Sequence, residues 1–448
     1  MTGLTAAGVD ADLATRFLHA SREDVHTVFA LGWEILDRFP LRSARSEAEK
    51  RASTFVIEAM ADVCWRFCRT NRRNIYDRLT DGMSKRVRLD DLVFRAAERW
   101  PGLVPTREDL ARESERMQKD KDGREIQQGL FVSQMLSDSE TGAHLVSSML
   151  EPTGEARERL QQFRDEGALQ LGTVRVEARG HVGHVEFQKP RFLNAEDDET
   201  RQDLETAIDL VLLHPELRIG VLRGGRVEHP KYPGQRIFSA GLNLTKLYHG
   251  KIPYLFYLLR DLGPVNKLYR GLQLEDHPRD EPETTLEKPW IAVVEGFAIG
   301  GGCQMLLVVD RVIAQEGSYF NLPARKEGIV PGAANLRLPR FLGEGLARDA
   351  ILFGRTFSVD SVEARAIVSE VHPADRIDDA LEQSVATVTG SGLVSASGNR
   401  KALRVQTEPR DTFRRYMATY ARDQAYCHLS EQLVENLENH WQARTKSL

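Results

Sequence analysis

The stretch that most constrains this chain is Gly296 to Gly302, which reads G-F-A-I-G-G-G. It follows an apolar run, Trp290 to Glu295, that reads as a strand, and it leads into Cys303 to Val309, which reads as a short buried helix. Three consecutive glycines at a strand-to-helix junction let the backbone pass close to a ligand. They also leave N–H groups without acceptors at the positive end of a helix. Such a turn is an anion site or an oxyanion hole, and a purely structural glycine turn is the other reading. A dinucleotide-binding turn does not fit. Gly296 and Gly300 are four apart, so G-x-G-x-x-G is not matched, and no acid occupies the ribose position after a following strand. This motif alone leaves the choice open.

The organisation around it predicts a composite chain. Residues 1–170 hold no convincing strand; Ser46 to Leu79 and Leu89 to Trp100 carry apolar residues at three-four spacing, with breaks at Pro40, Asp81-Gly82 and Pro101-Gly102. The pattern then changes. Thr173 to Ala178 and His181 to Phe187 read as strands, followed by a helix near 200–213 and a strand from Ile219 to Arg223. Beyond Pro331 the chain turns helical again, with breaks near His372-Pro373 and Gly390 to Gly398, and it ends in one or two amphipathic helices from Ala402 to Arg444. We therefore expect a helical domain over 1–170, an α/β core over 171–390 and a helical segment over 391–448. Leu247 to Arg270, crowded with Tyr248, Tyr254, Phe256, Tyr257 and Tyr269, is either core or the roof of a pocket.

A second glycine turn resolves the first. Ile237 to Leu244 reads I-F-S-A-G-L-N-L, again as a strand running into a helix. With Asn194-Ala195, Asp310, Ile329-Val330-Pro331-Gly332, Leu338-Pro339-Arg340 and Gly343, this ordered set resembles the crotonase (enoyl-CoA hydratase/isomerase) superfamily over about residues 171–385. The resemblance implies an α/β fold with a crotonase core, a ClpP-like spiral of ββα units, carrying an added N-terminal all-helical domain and C-terminal helices. It also implies that the N–H groups of Leu242 and Gly301 grip the thioester oxygen of an acyl-CoA. Two such donors stabilise the enolate formed at the α-carbon, roughly 3–4 kcal/mol each where a donor of this kind has been removed.

The departures from the family pattern are informative. The two glutamates of the family's hydratases are absent: Gln304 stands in one place and Ala324 in the other. Gln304 exchanges hydrogen bonds but shuttles no proton near neutral pH. After Asn194-Ala195 the family usually has an apolar residue, and here it is Glu196. A carboxylate in an acyl pocket needs a donor, so with Gln304 it points to a substrate bearing hydroxyl groups; a surface Glu in an acidic turn is the alternative. Arg260 is either a further polar contact or a surface Arg paired with Asp261. The turn N-A-E-D, the run G-G-G-C-Q, the insertion L-R-D-L-G-P-V-N-K and the long helical N-terminal region resemble one branch of the superfamily, the cofactor-free dioxygenases of a dihydroxyphenylacetyl-CoA.

That branch implies an arylacetyl-CoA substrate with O₂ as co-substrate, no metal and no other cofactor. It further implies Glu196, Arg260 and Gln304 on the ring hydroxyls, with Ile329 and Val330 as candidates for a small apolar O₂ pocket, plain core packing being their other reading. Arg236, Lys246 and Lys251 flank the second glycine turn, where the family's basic residues meet CoA phosphates; solvated surface charge is the alternative for each. Family analogy gives a homotrimer or homohexamer. No metalloenzyme, P-loop or nucleophile-elbow motif is visible. A formal charge of −5 gives no field for nucleic acid, no apolar run is long enough to span a membrane, and four scattered cysteines fit a reducing cytoplasm. Two other readings stay open: a different acyl-CoA reaction of the same scaffold, such as thioester hydrolysis or isomerisation, and a non-catalytic scaffold or RNA-binding module.

Overall fold

A computed structural model describes residues 2–274, 284–390 and 392–446. The expected boundary at Ser391 lies outside the described residues. Helix α1 (Glu47–Thr80) starts at a capping box, Ser46 with Glu49, and stops where Asp81 turns left-handed at φ 50°. Its apolar stripe, which includes Val56, Met60, Val63 and Cys64, is buried. It packs on α2 (Ile126–Ser137), a helix buried at nearly every position. The other side of α2 meets a C-terminal helix, Arg410–His428. Gly129 permits that approach, since a Cβ there would lie 2.8 Å from the Ala421 carbonyl oxygen.

The centre of the chain is a seven-stranded sheet, in spatial order β1 (Ala168–Leu171), β2 (Val174–Arg179), β3 (Val182–Phe187), β4 (Ile219–Gly224), β5 (Trp290–Val294), β7 (Arg311–Gln315) and β10 (Glu370–His372). A three-stranded sheet joins β6 (Phe297–Ile299), β8 (Tyr319–Asn321) and β9 (Thr356–Ser358). From β3 onward the large sheet is parallel. Such strands are covered on both faces, which is why W-I-A-V-V of β5 is buried at every position. On one face lie α3 (Asp198–Leu213) and residues of the segment beyond Gly263; on the other, Ile377, Ala380 and Leu381 pack on Val221, Ile291 and Val293.

The aromatic insertion folds as α4 (Leu244–Tyr248), α5 (Leu255–Leu262) and α6 (Pro264–Arg270). Its residues up to Leu262 share one hydrophobic core with the N-terminal helices and the C-terminal residues from Phe413 to Ala443. The Tyr254 N–H donates to Glu125 at 2.6 Å, and the Tyr254 hydroxyl donates to the Ala421 carbonyl. A buried ion cluster ties the same parts to the core: Lys267 is 2.8 Å from both Glu205 and Asp209, and Arg88 is 2.7 Å from Glu205.

Three expectations need correction. Residues 168–170, expected outside the α/β core, form most of β1, which pairs antiparallel with β2. Ile237 to Asn243 is not a strand; its pairings are single bridges, Ser239 with Ala298 and Leu242 with Glu196. The C-terminus forms three helices over 393–407, 410–428 and 431–441, and Gly398 lies inside the first. Among the described residues no helix is long and apolar enough to cross a membrane.

Candidate active site

The two glycine turns meet through a third. Leu193 and Asn194 both adopt positive φ, 54° and 55°, a conformation that Asn tolerates well. The buried Asn194 amide donates to the Gly225 and Ile237 carbonyls at 3.0 and 2.7 Å, and its oxygen accepts from the Lys189 N–H. This fixes the next residue, Glu196, whose N–H donates to the Gly241 carbonyl and whose carbonyl accepts from Asn243. On the other side, the Ser239 N–H donates to Phe297 and the Ile299 N–H to Ser239. Gly241, at φ +77°, then lies against the second turn. A Cβ on it would sit 2.6 Å from the Ile299 carbonyl oxygen and 3.1 Å from the Gly301 nitrogen. Gly301 opens α7 (Gly301–Leu306), after Gly300 at φ 52°. Neither the Leu242 nor the Gly301 N–H has an acceptor among the described residues. Two free donors on adjoining turns are the arrangement an oxyanion requires.

Beside these donors lies a buried polar cluster centred on Arg260. Its guanidinium donates to Glu196 at 2.6 and 3.2 Å, to the Gln304 side-chain oxygen at 2.8 Å and to the Gly301 carbonyl at 2.7 Å. The surface alternatives for Glu196 and Arg260 are therefore set aside: their side chains are 1% and 5% exposed. Burial works against the Arg260 charge, but Glu196 outweighs it and holds the guanidinium above its ordinary range. The Gln304 oxygen accepts from Arg260, and its amide N–H groups have no protein acceptor among the described residues. Asp261 lies 3.7 Å from Arg260, and its carboxyl is raised by burial despite that cation.

One cavity, with about 40 Å³ of free volume, gathers seven residues singled out from the sequence: Leu242, Gly301, Gln304, Glu196, Arg260, Ile329 and Val330. Ile329 and Val330 pack against the helical core, and the Val330 N–H donates to Gln424 at 2.8 Å. The insertion lines the cavity with Phe256, Tyr257, Arg260 and Asp261. The three basic residues do not line it and are engaged elsewhere. Arg236 bonds Glu186 and the Gly224 carbonyl, Lys246 is 2.6 Å from Asp197, and Lys251 donates to the Ser114 carbonyl.

Sequence reasoning missed Tyr420 and Glu327 as cavity residues and read Asp261 only as a surface partner of Arg260, whereas Tyr257 belongs to the segment read as core or pocket roof. Glu327 ends α8 (Ala324–Glu327), which begins where the hydratases carry a glutamate; the carboxylate stands one turn further along the same helix. Its side chain has no hydrogen bond or ion pair among the described residues, and burial pushes its carboxyl up to about 7. Among the described residues no group of His, Cys, Asp and Glu is placed to hold a metal ion.

The enoyl-CoA hydratase/isomerase family profile matches residues 177–441. A (3,5-dihydroxyphenyl)acetyl-CoA 1,2-dioxygenase of Amycolatopsis orientalis is 44% identical over 393 residues, spanning 88% of this chain and 89% of that one. That span is too long to lie within 177–441, so it includes part of the N-terminal helices. A probable enoyl-CoA hydratase of Mycobacterium bovis is 28% identical over 232 residues, 51% of this chain and 79% of its own. Among solved structures, an enoyl-CoA hydratase from Mycobacterium avium subsp. paratuberculosis superposes with a TM-score of 0.49 at 22% identity, covering 62% of this chain and 99% of that one. The chain belongs to the enoyl-CoA hydratase/isomerase family, the crotonase superfamily.

Proposed function

We propose that this protein is a cofactor-independent dioxygenase that converts 3,5-dihydroxyphenylacetyl-CoA and O₂ to 3,5-dihydroxyphenylglyoxylate and free CoA. The observation that carries the reading is a buried Glu196–Arg260–Gln304 cluster set against two unoccupied backbone donors in one cavity. A hydrocarbon acyl chain has no use for such a cluster, whereas ring hydroxyls can exchange hydrogen bonds with all three side chains. The 44% identity to a dioxygenase of that thioester supports the same substrate.

The chemistry follows from the substrate. Its α-carbon lies between a thioester and an electron-rich ring, so its proton is acidic. Loss of that proton moves the electron pair onto the thioester oxygen, where the Leu242 and Gly301 N–H groups hold the charge. Glu196, Arg260 and Gln304 fix the ring so that the α-carbon lies beside those donors. The enolate reduces O₂ and forms a C–O bond at the α-carbon. The terminal peroxide oxygen attacks the thioester carbonyl and expels CoA. Cleavage of the O–O bond with loss of the second α-proton leaves the α-keto acid, so both oxygen atoms stay in the product. Ile329 and Val330 supply an apolar wall on which O₂ can rest. Arg236, Lys246 and Lys251 flank the Ile237–Leu244 turn, and CoA phosphates would have to compete with their present partners. The buried free thiols Cys64, Cys68 and Cys303 suit a reducing cytoplasm. A trimer or paired trimer is expected from the family.

The test is product analysis under ¹⁸O₂. The reading requires arylglyoxylate carrying two labelled oxygens. Unlabelled arylacetate would mean simple thioester hydrolysis and contradict it.

A further inference from the structure

We propose that Glu327 is the catalytic base that takes the α-proton from the bound thioester. The assignment rests on the enolate reading above and adds the group that reading lacks. Ala324 and Glu327 are three apart on the single turn of α8 and both line the cavity that holds the Leu242 and Gly301 donors.

The other ionisable groups of the cavity face opposite charges or stay protonated. Glu196 neutralises Arg260. Asp261 accepts from the Ala333 N–H and is drawn toward Arg260 and Arg337, although its Oδ1 makes no hydrogen bond among the described residues. The Tyr257 hydroxyl faces the His428 ring nitrogen at 3.3 Å, and burial lifts the phenols of Tyr257 and Tyr420 well above their ordinary range, so they stay protonated. Among the described residues no cation on the helices packed against α8 pairs with Glu327. On 334–353, Arg337 and Arg340 are held by Glu408, and on 431–441, Glu438 pairs with Arg444 while Glu431 faces Arg42.

Glu327 is therefore a carboxylate without a partner among the described residues, lining the same cavity as the two backbone donors. Burial raises its carboxyl to about 7, which makes it a stronger base than an exposed Glu while still ionised in a useful fraction at neutral pH. In the step proposed, the α C–H bond breaks and an O–H bond forms on Glu327. The electron pair passes through the carbonyl to the oxygen held by Leu242 and Gly301. O₂ plays no part in this step, so it can be observed alone.

The experiment is anaerobic exchange of the α-protons of 3,5-dihydroxyphenylacetyl-CoA in D₂O, with ester affinity measured in parallel, on the full-length wild type, E327Q, E327D and D261N. We expect E327Q to slow exchange about 100-fold or more while affinity stays within about threefold, the usual range for loss of a general base. E327D should recover part of the rate, and the rise in wild-type rate near pH 7 should vanish in E327Q. Exchange in E327Q within a few-fold of wild type overturns the role, as does loss confined to D261N. Equal loss of binding and exchange in E327Q and E327D would make the residue structural and also overturn it. A wild type that binds the ester but neither exchanges nor takes up O₂ overturns the dioxygenase reading itself, and this role with it.

Discussion

The guanidinium of Arg260 makes two hydrogen bonds, 2.6 and 3.2 Å, to the carboxylate of Glu196, with both side chains almost wholly out of solvent. Removing one member strands a buried charge. R260M should therefore destabilise the protein by about 3–5 kcal/mol, and the double variant E196Q/R260M should regain much of that loss. A denaturant titration of the three proteins checks this.

Glu196 should also set substrate choice. Replacing a charge-assisted hydrogen bond costs about 1.5–3 kcal/mol. E196Q should therefore lower kcat/KM for the dihydroxylated ester by roughly 10- to 100-fold. Affinity for phenylacetyl-CoA, which offers no ring hydroxyl, should change little. Equal losses on both esters would place Glu196 away from the ring.

Gly301 should tolerate no side chain. A Cβ there would overlap the Glu196 carboxylate and lie 2.9 Å from the Arg260 guanidinium. G301A should keep its circular dichroism spectrum yet lose at least about 100-fold in kcat, the scale of losing one oxyanion donor.

Glu327 should cost stability in proportion to its ionisation. Its carboxyl is raised in the folded state, so the folded protein holds that proton more tightly than the unfolded chain. The contribution is intact at low pH and is lost as pH rises toward and past about 7. E327Q should accordingly melt higher than wild type at pH 8 and close to it at pH 4.

Glu408 should behave oppositely. Burial would raise its carboxyl, but Arg337, Arg270 and Arg340 pull it down to about 2. Its stabilisation is present above the ordinary carboxylate range and fades as pH falls from about 5 to 2. E408Q should lose several kcal/mol at pH 7, about 3–5 by analogy with other broken buried pairs, and much less at pH 3.

The parts of this site that lie in the backbone were legible in the sequence. Gly241 and Gly300 adopt positive φ where turns meet at van der Waals distance, and only glycine serves there cheaply, so the requirement is written as residue type. Glu196 was legible because a carboxylate contradicts an apolar setting. Its partner was not. Arg260 is 64 positions away, and nothing local to either residue records the pairing. Glu327 sits in R-K-E, which reads as a solvated charged turn, and only the packing of the helices over 334–353 and 431–441 covers α8. A-L-Q-L of β1 is made of good helix formers and becomes a strand through its pairing with β2. I-F-S before Gly241 has strand composition, yet a turn on each flank leaves room for single bridges in place of a ladder.

The enolate formed in this pocket should be oxidised directly by O₂. This is tested most directly on an oxygen electrode with chelator-treated protein and 3,5-dihydroxyphenylacetyl-CoA, with thiol release followed in the same vessel. One O₂ should be consumed for each CoA released, at a rate the chelator does not change. CoA release without O₂ uptake would contradict this and leave a thioesterase on the same scaffold.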